Sequence, residues 1–251
     1  MKYKRIVVLP DIHTPNHNSR AISAILEFIR YYKPDTLIQL GDFCDWDSLS
    51  SYDVSCESDI VTIQKEVDEA NFLLDDIDDS CPKGCKKIMI GGNHENRYPK
   101  FRVNQGSKVE DRRLRTFTTW QEEYNLYGRG WDSFSYGQHV QIGKIVFTHG
   151  WYASNNACQL MAKCFPGRNV IFGHTHRHAI AGLMDERDLP IESETIGTLS
   201  KFNLSYLNGK PASDWVNGFM YIDMKDNGTF SKHFVHIING AFIEHNKEFS
   251  A

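Results

Sequence analysis

Lys4-Arg5-Ile6-Val7-Val8-Leu9-Pro10-Asp11-Ile12-His13 runs from an apolar stretch through a proline into two side chains able to ligate a metal. Residues 4–9 read as a buried strand. Pro10 cannot donate to a ladder and ends it, so Asp11 and His13 fall on the loop beyond. The same pattern occurs twice more. Residues 36–40 are strand-like and deliver Gly41-Asp42-x-x-Asp45; residues 86–90 deliver Gly91-Gly92-Asn93-His94-Glu95. Ser19 is positioned to cap a helix to about residue 31, with Ile22, Ile25, Leu26 and Ile29 on one face; Pro34-Asp35 then breaks the chain. Ser58 can cap a second helix to about residue 77, with Ile60, Ile63, Val67, Leu74 and Ile77 at helical spacing. Polar residues at the C-terminal edges of successive strands occupy the place where open α/β sheets bind ligands.

Further along, 139–142 and 144–148 predict a hairpin around Gly143 that runs into His149-Gly150. A helix is expected over about 155–164. A strand over 169–172 leads to Gly173-His174-Thr175-His176, and strand-like runs follow at 179–183, 191–196, 218–224 and 229–237. A βαβ-like first half and a β-rich second half predict an α/β fold of two mixed sheets packed face to face as a sandwich, flanked by helices. No boundary divides the 251 residues, so a single domain is expected over 1–251. Residues 96–131 interrupt the rhythm and read as a mostly helical insertion. It carries Arg97, Lys100, Arg102, Lys108, Arg112, Arg113 and Arg115 among Tyr98, Phe101, Phe117, Trp120 and Tyr124.

A net charge of −4 argues against a protein that coats nucleic acid generically, while leaving room for a local basic patch. No apolar run approaches the roughly 20 residues of a membrane span, and no signal peptide is visible, so the cytoplasm of a cell or infected host is the expected compartment. Six cysteines in a chain with this much core read as reduced thiols. Cys81-Pro82-Lys83-Gly84-Cys85 could be half of a zinc knuckle, but the other half is missing and a turn is the simpler reading.

The polar groups at the strand ends form a donor set for two adjacent cations. Such cations repel, so they need anionic bridging oxygen together with neutral nitrogen donors. Asp42 can bridge; Asp11 is a second anion; His13, His149, His174 and His176 offer imidazole nitrogens, and Asn93 an amide oxygen. The mixture suits manganese first, with iron, zinc or nickel as alternatives, over calcium or magnesium.

With all five motifs in order, the chain resembles the calcineurin-like metallophosphoesterase superfamily, and its motif set and size look like phosphoesterases common in bacteriophage genomes. The resemblance implies the metallophosphoesterase sandwich, with Asp11, His13 and His176 on one metal, Asn93, His149 and His174 on the other, and Asp42 between. It further implies that His94 acts on the leaving-group oxygen and that Asp45 orients it. Metals ~3.5–4 Å apart would turn a bridging water into hydroxide, which attacks phosphorus in line. Asp45 is expected to raise the pKa of His94.

The same family's Ser/Thr protein phosphatases carry two arginines that grip a dianionic monoester. Here those positions hold Trp46 and Gly91. Losing both guanidinium clamps favours a diester. Arg97 stands near enough to the motif to reach phosphate, and the basic-aromatic insertion suits nucleic acid or a nucleotide; the alternative is a solvated helix with its aromatics in the core. The leading expectation is a phosphodiesterase or nuclease. A phosphomonoesterase acting on phosphoproteins or small phosphates, and a non-catalytic binding module, are the alternatives. His17, His178 and the polar loop 203–215 are further candidates for contact with substrate, against plainer roles as surface or supporting groups.

Overall fold

The computed structural model describes residues 3–50, 62–106 (backbone only for 102–106), 118–184, 190–204, 207, 211–212 and 214–251. In chain order the elements are β1 (Lys4–Leu9), α1 (Ser19–Tyr32), β2 (Thr36–Gln39), a 3-10 turn (Asp47–Leu49), α2 (Ile63–Ser80), β3 (Lys86–Ile90), α3 (Arg97–Gly106) and α4 (Trp120–Glu123). Then come β4 (Trp131–Phe134), β5 (His139–Ile142), β6 (Ile145–Thr148), α5 (Ala157–Cys164), β7 (Asn169–Phe172), β8 (His178–Met184), β9 (Pro190–Ile196), β10 (Gly218–Met224), β11 (Phe230–His236), β12 (Phe242–Glu244) and β13 (Lys247–Phe249).

Strand alternation builds the layers. In β1, Ile6 and Val8 point one way and Val7 and Leu9 the other, as period-two geometry requires. Ile6 and Val8 join Ile38, Ile88, Ile90, Ile145, Phe147, Ile171 and Ile222 in the core between two sheets. Val7 and Leu9 join Leu37 and Met89 against Ile25, Phe28 and Ile29 of α1 and Leu74 of α2. Each such fully buried aliphatic contributes roughly 1.5–3 kcal/mol relative to exposure. A separate cluster under α5 seats Met161 on Val170 and Phe172. The first sheet runs β11-β10-β1-β2-β3-β4 and the second β5-β6-β7-β9-β8. Parallel pairs β1·β2, β2·β3 and β6·β7 aim their C-terminal ends at one edge, while β10 runs antiparallel to β1. This is the expected sandwich of two mixed sheets with helices outside.

Several local expectations shift. Asn18 caps α1, its side chain accepting from Ala21 N at 3.3 Å, and Ser19 is the first helical residue. Thr62 caps α2, which begins at Ile63; the expected cap Ser58, and Ile60, lie outside the described residues. The Cys81–Cys85 segment is a turn, closed by Cys85 N donating to Pro82 O at 3.0 Å, and joins no metal-competent group among the described residues. The edge strand β4, parallel to β3, and the β12–β13 hairpin were not expected. No helix among the described residues is long and apolar enough to cross a membrane.

Candidate metal centre

The loops after β1, β2 and β7 turn back sharply to converge. His13, Asp42, His174 and His176 all sit at positive φ, between 49° and 67°. For residues with a Cβ that conformation costs about 1–3 kcal/mol each, and it persists only where surrounding structure dictates it. Glu95 dictates much of it. Its buried carboxylate accepts from Asp42 N (2.9 Å) and Gly92 N (2.8 Å) on one oxygen, and from Phe43 N (3.0 Å) and Cys44 N (3.2 Å) on the other. One side chain therefore locks the Asp42 loop to the Asn93 loop. Glycine is required where two buried carboxylates pass close to backbone: a Cβ on Gly92 would overlap the Asp42 carboxylate, and one on Gly173 the Asp11 carboxylate.

Among the described residues three clusters of potential donors result, one of them His13, Asp45 and His94, which shares His13 with a second; the other two hold the expected ligands. Asp11, His13 and His176 form one, Asp42, His149 and His174 the other, with the atoms of each group within 4.8 Å of one another. His13 Nε2 lies 2.9 Å from His176 Nε2, and His176 Nε2 lies 3.1 Å from Asp11 Oδ2. His149 Nε2 is 2.9 Å from Asn93 Oδ1 and 3.3 Å from Asp42 Oδ2. Asp42 Oδ2 is also 3.9 Å from His13 Nε2, so Asp42 stands between the groups. The far nitrogens of two imidazoles are already fixed: His13 Nδ1 on Asp45 Oδ1 (2.7 Å), His149 Nδ1 on Leu40 O (3.0 Å). Such outer contacts set the tautomer that turns Nε2 inward. Asp11 Oδ1 is buried with no hydrogen-bond partner. An orphaned carboxylate oxygen amid converging lone pairs is a polarity pattern that cations satisfy. The residues therefore fit two divalent metals.

Charge explains the proton affinities. Burial alone would lower His13, but Asp45, Asp42 and Asp11 hold it up at about 9. His149 is likewise pushed to about 9, its burial outweighed by Asp42, Asp11 and Glu95. The site is a sink for positive charge. His174 goes the other way, to about 4, through burial and the neighbouring His149.

His94 departs from expectation in two respects. Its Nδ1 lies 2.8 Å from the main-chain oxygen of Asp45, whereas the Asp45 carboxylate stands 3.6 Å away, engaged with His13 and with Asn16 Nδ2 (2.7 Å). Asp45 thus reaches His94 through its backbone and His13 through its side chain. The pKa of His94 is not raised. Burial dominates, His13 and Arg97 add to it, Asp42 and Asp45 oppose, and the ring falls to about 4. Arg97 donates from Nη1 to the same Asp45 carbonyl (2.7 Å) and to Asp47 Oδ1 (3.1 Å), placing Nη2 3.4 Å from His94 Nε2.

The surroundings correct the picture of the insertion. Trp46 is fully buried, stacked on Tyr124 (5.7 Å, 20°) and edge-on to Tyr98 (5.0 Å). Trp120 packs on Tyr124 at 5.8 Å. Tyr98, Trp120 and Tyr124 are core residues, not stacking platforms. Lys108, Arg112, Arg113, Arg115 and Phe117 lie outside the described residues. His178 pairs with buried Glu194 (2.9 Å) and stacks on Phe234 at 3.7 Å, a structural post. His17 is half-buried in a bridge to Ser200. Sequence reading did not single out Tyr136, whose ring lies 6.1 Å from His149 and whose hydroxyl is held protonated by burial and Asp42. It named Trp215 only as the end of a loop; that ring lies 4.1 Å from His176. Neither residue sits in a motif, so no sequence signal marks it.

A family model described as calcineurin-like phosphoesterase matches residues 4–178. The Gene 54 protein of Mycobacterium phage D29 is 27% identical over 260 residues, covering 95% of this chain and 96% of its own. The Gene 54 protein of Mycobacterium phage L5 is 26% identical, covering 95% and 96%. Among solved structures, Vacuolar Protein Sorting 29 from Cryptosporidium parvum aligns over 99% of this chain and 96% of its own, at 12% identity and a TM-score of 0.49.

Proposed function

Because the chain belongs to the calcineurin-like phosphoesterase family, we propose that it is a two-metal phosphodiesterase or nuclease acting on nucleic acid or nucleotides. The observation that carries the diester reading is steric. Where a monoester-gripping arginine would stand, a Cβ on Gly91 would lie 2.9 Å from Trp120 Cζ2 and 3.2 Å from Tyr136 N. The companion position is filled by Trp46, sealed in its aromatic stack. No space remains for either clamp. Among the described residues Arg97 is the guanidinium beside His94, and a single cation matches the single charge of a diester better than the double charge of a monoester.

In this reading Asp11, His13 and His176 hold one metal and Asn93, His149 and His174 the other, with Asp42 shared; manganese is the first choice of ion. When bound, the cations supply charge neutralisation at the phosphoryl oxygens and an acidified water. Asp45 keeps His13 turned inward and, through its carbonyl, holds His94 Nδ1, so that Nε2 faces the departing oxygen. At about 4 the ring is neutral at pH 7, so an anionic phosphoester against Nε2 would have to raise its proton affinity before it could carry the proton that the departing alkoxide takes. Arg97, braced by Asp47, grips a non-bridging oxygen. The chain works as one domain, and its phage relatives support the cytoplasm of an infected host as its compartment.

Manganese-loaded protein should hydrolyse a chromogenic phosphodiester and cut DNA or RNA, with the matching monoester and a phosphopeptide slower. Monoester turnover without any diester or nucleic-acid cleavage would overturn the reading in favour of a phosphomonoesterase. Silence on every substrate with both metals bound would favour a binding module.

A further inference from the structure

A nuclease or nucleotide diesterase needs somewhere to place a base, and Tyr98, Trp120 and Tyr124 of the insertion are used up in the core. Of the five tryptophans, Trp46, Trp120 and Trp131 are buried, and Trp151 stacks on Phe165 (5.8 Å, 18°) beside α5. Trp215 differs. It is half-buried and stands edge-on to the ligand histidine His176, with Phe202, 43% exposed, 6.5 Å beyond. Rings run in a row from the buried site out to this rim: His94 to His13 at 4.7 Å, His13 to His176 at 4.8 Å, His176 to Trp215 at 4.1 Å. The row begins at the ring assigned to the leaving group and ends on an indole.

The indole is held in place. Val216 N donates to His176 O at 3.0 Å, tying its loop to the ligand loop. Arg177 pairs with Asp214 at 3.4 Å and donates to Ala153 O and Ser154 O at 2.6 and 2.9 Å, bracing the residue just before Trp215. Lys201, exposed and next to Phe202, adds positive charge to the same rim. Aromatic faces beside a cationic side chain are what single-stranded nucleic acid and nucleotides bind, because every base has a π-face and every link a phosphate.

We propose that Trp215, with Phe202 beside it, is the base shelf of this site and stacks the nucleobase of the nucleoside whose phosphorus lies over the ligand cluster. The proposal rests on the diesterase reading for its substrate and on Trp215 for its specificity. Stacking is sequence-tolerant, so the shelf selects nucleoside esters over simple alkyl esters without choosing among bases.

Thymidine 5′-(4-nitrophenyl phosphate) and methyl 4-nitrophenyl phosphate share a leaving group and differ in the other substituent. The manganese-loaded full chain should prefer the thymidine ester. Trp215→Ala should cut that preference, measured as the ratio of kcat/KM, by roughly 10- to 100-fold, mostly through KM, and Trp215→Phe should restore most of it. Thymidine 5′-monophosphate should quench intrinsic fluorescence in the unaltered chain and much less in Trp215→Phe. A preference unchanged in Trp215→Ala overturns the shelf. So does loss of bound manganese from that variant with both esters falling together, which would make Trp215 a prop for His176. Should the unaltered chain hydrolyse neither ester while the Trp215-dependent quench persists, the diesterase reading fails and the shelf stands. Hydrolysis of both esters without preference, and without that quench, sinks the shelf alone.

Discussion

On one side of the Asp/His cluster Trp46, Tyr98, Trp120 and Tyr124 pack ring on ring, each no more than 6% exposed; on the other, Phe202 and Trp215 stand at the rim beside His176. Both walls are aromatic and both have cationic neighbours, yet the first is structure and the second is surface. The difference lies in what covers them. Trp46 turns inward at φ 50° beneath Tyr98 of α3 and Trp120 of α4. The loop bearing Trp215 has His176 of the Asp/His cluster as its neighbour. Aromatics interleaved with arginine are therefore ambiguous by themselves: the same composition seals a core or offers a platform, depending on whether an apolar face exists to receive it.

The largest effect expected lies between the walls. His94→Ala should lower turnover by about 100- to 10,000-fold, the usual contribution of a positioned proton donor, while metal analysis finds both ions retained. Empty sites in that variant would make His94 a ligand and merge the walls into one coordination sphere. Next comes the walls' unequal contribution to stability. Trp46→Ala opens a cavity in a sealed stack and should cost about 3–5 kcal/mol, or on the order of 10 °C in Tm for a chain of this size. Trp215→Ala should cost about 1 kcal/mol or less, since a half-exposed ring leaves little cavity. Equal losses in thermal unfolding would erase the distinction between core wall and rim wall.

The sequence made legible what is local. An apolar run broken by Pro10 or Gly41 identifies a strand end, and all seven side chains named there as donors do converge. What stayed hidden is non-local. Asn18 and Ser19 are both competent caps in adjacent positions, and only the packed helix decides between them. Strand β4, Trp-Asp-Ser-Phe, has no apolar run and exists because β3 offers it a parallel edge. Asp45 sits beside both His13 and His94 in space, and sequence order cannot say which one receives its carboxylate. The positions of Trp46 and Gly91 did reveal two missing arginines. That their space is filled by Trp120, Tyr136 and Tyr124 required the packing itself.

A further test asks whether the rim wall is independent of the sandwich that carries it. Glu194 of β9 is buried and bonds His178 of β8 at 2.9 Å and Lys232 of β11, joining the two sheets at their far edge. Burial raises its pKa, but His178 and Lys232 outweigh burial and leave it below the ordinary 4.5. A folded-state pKa lower than the unfolded one means that the unfolded chain binds the proton more readily. The stabilisation is thus complete above about pH 4.5 and is lost as pH falls through the folded value. Glu194→Gln should cost about 1–2 kcal/mol at neutral pH, not more, because Lys232 keeps Glu192 at 2.9 Å. That deficit should shrink in thermal unfolding as pH drops below 4.5. A deficit constant from pH 7 to 3.5 would mean that ionisation of Glu194 contributes nothing. If fluorescence quenching by thymidine 5′-monophosphate at Trp215 weakened in step with the loss of stability, the rim wall would depend on the sheet junction, and the contrast between the two walls would be one of degree.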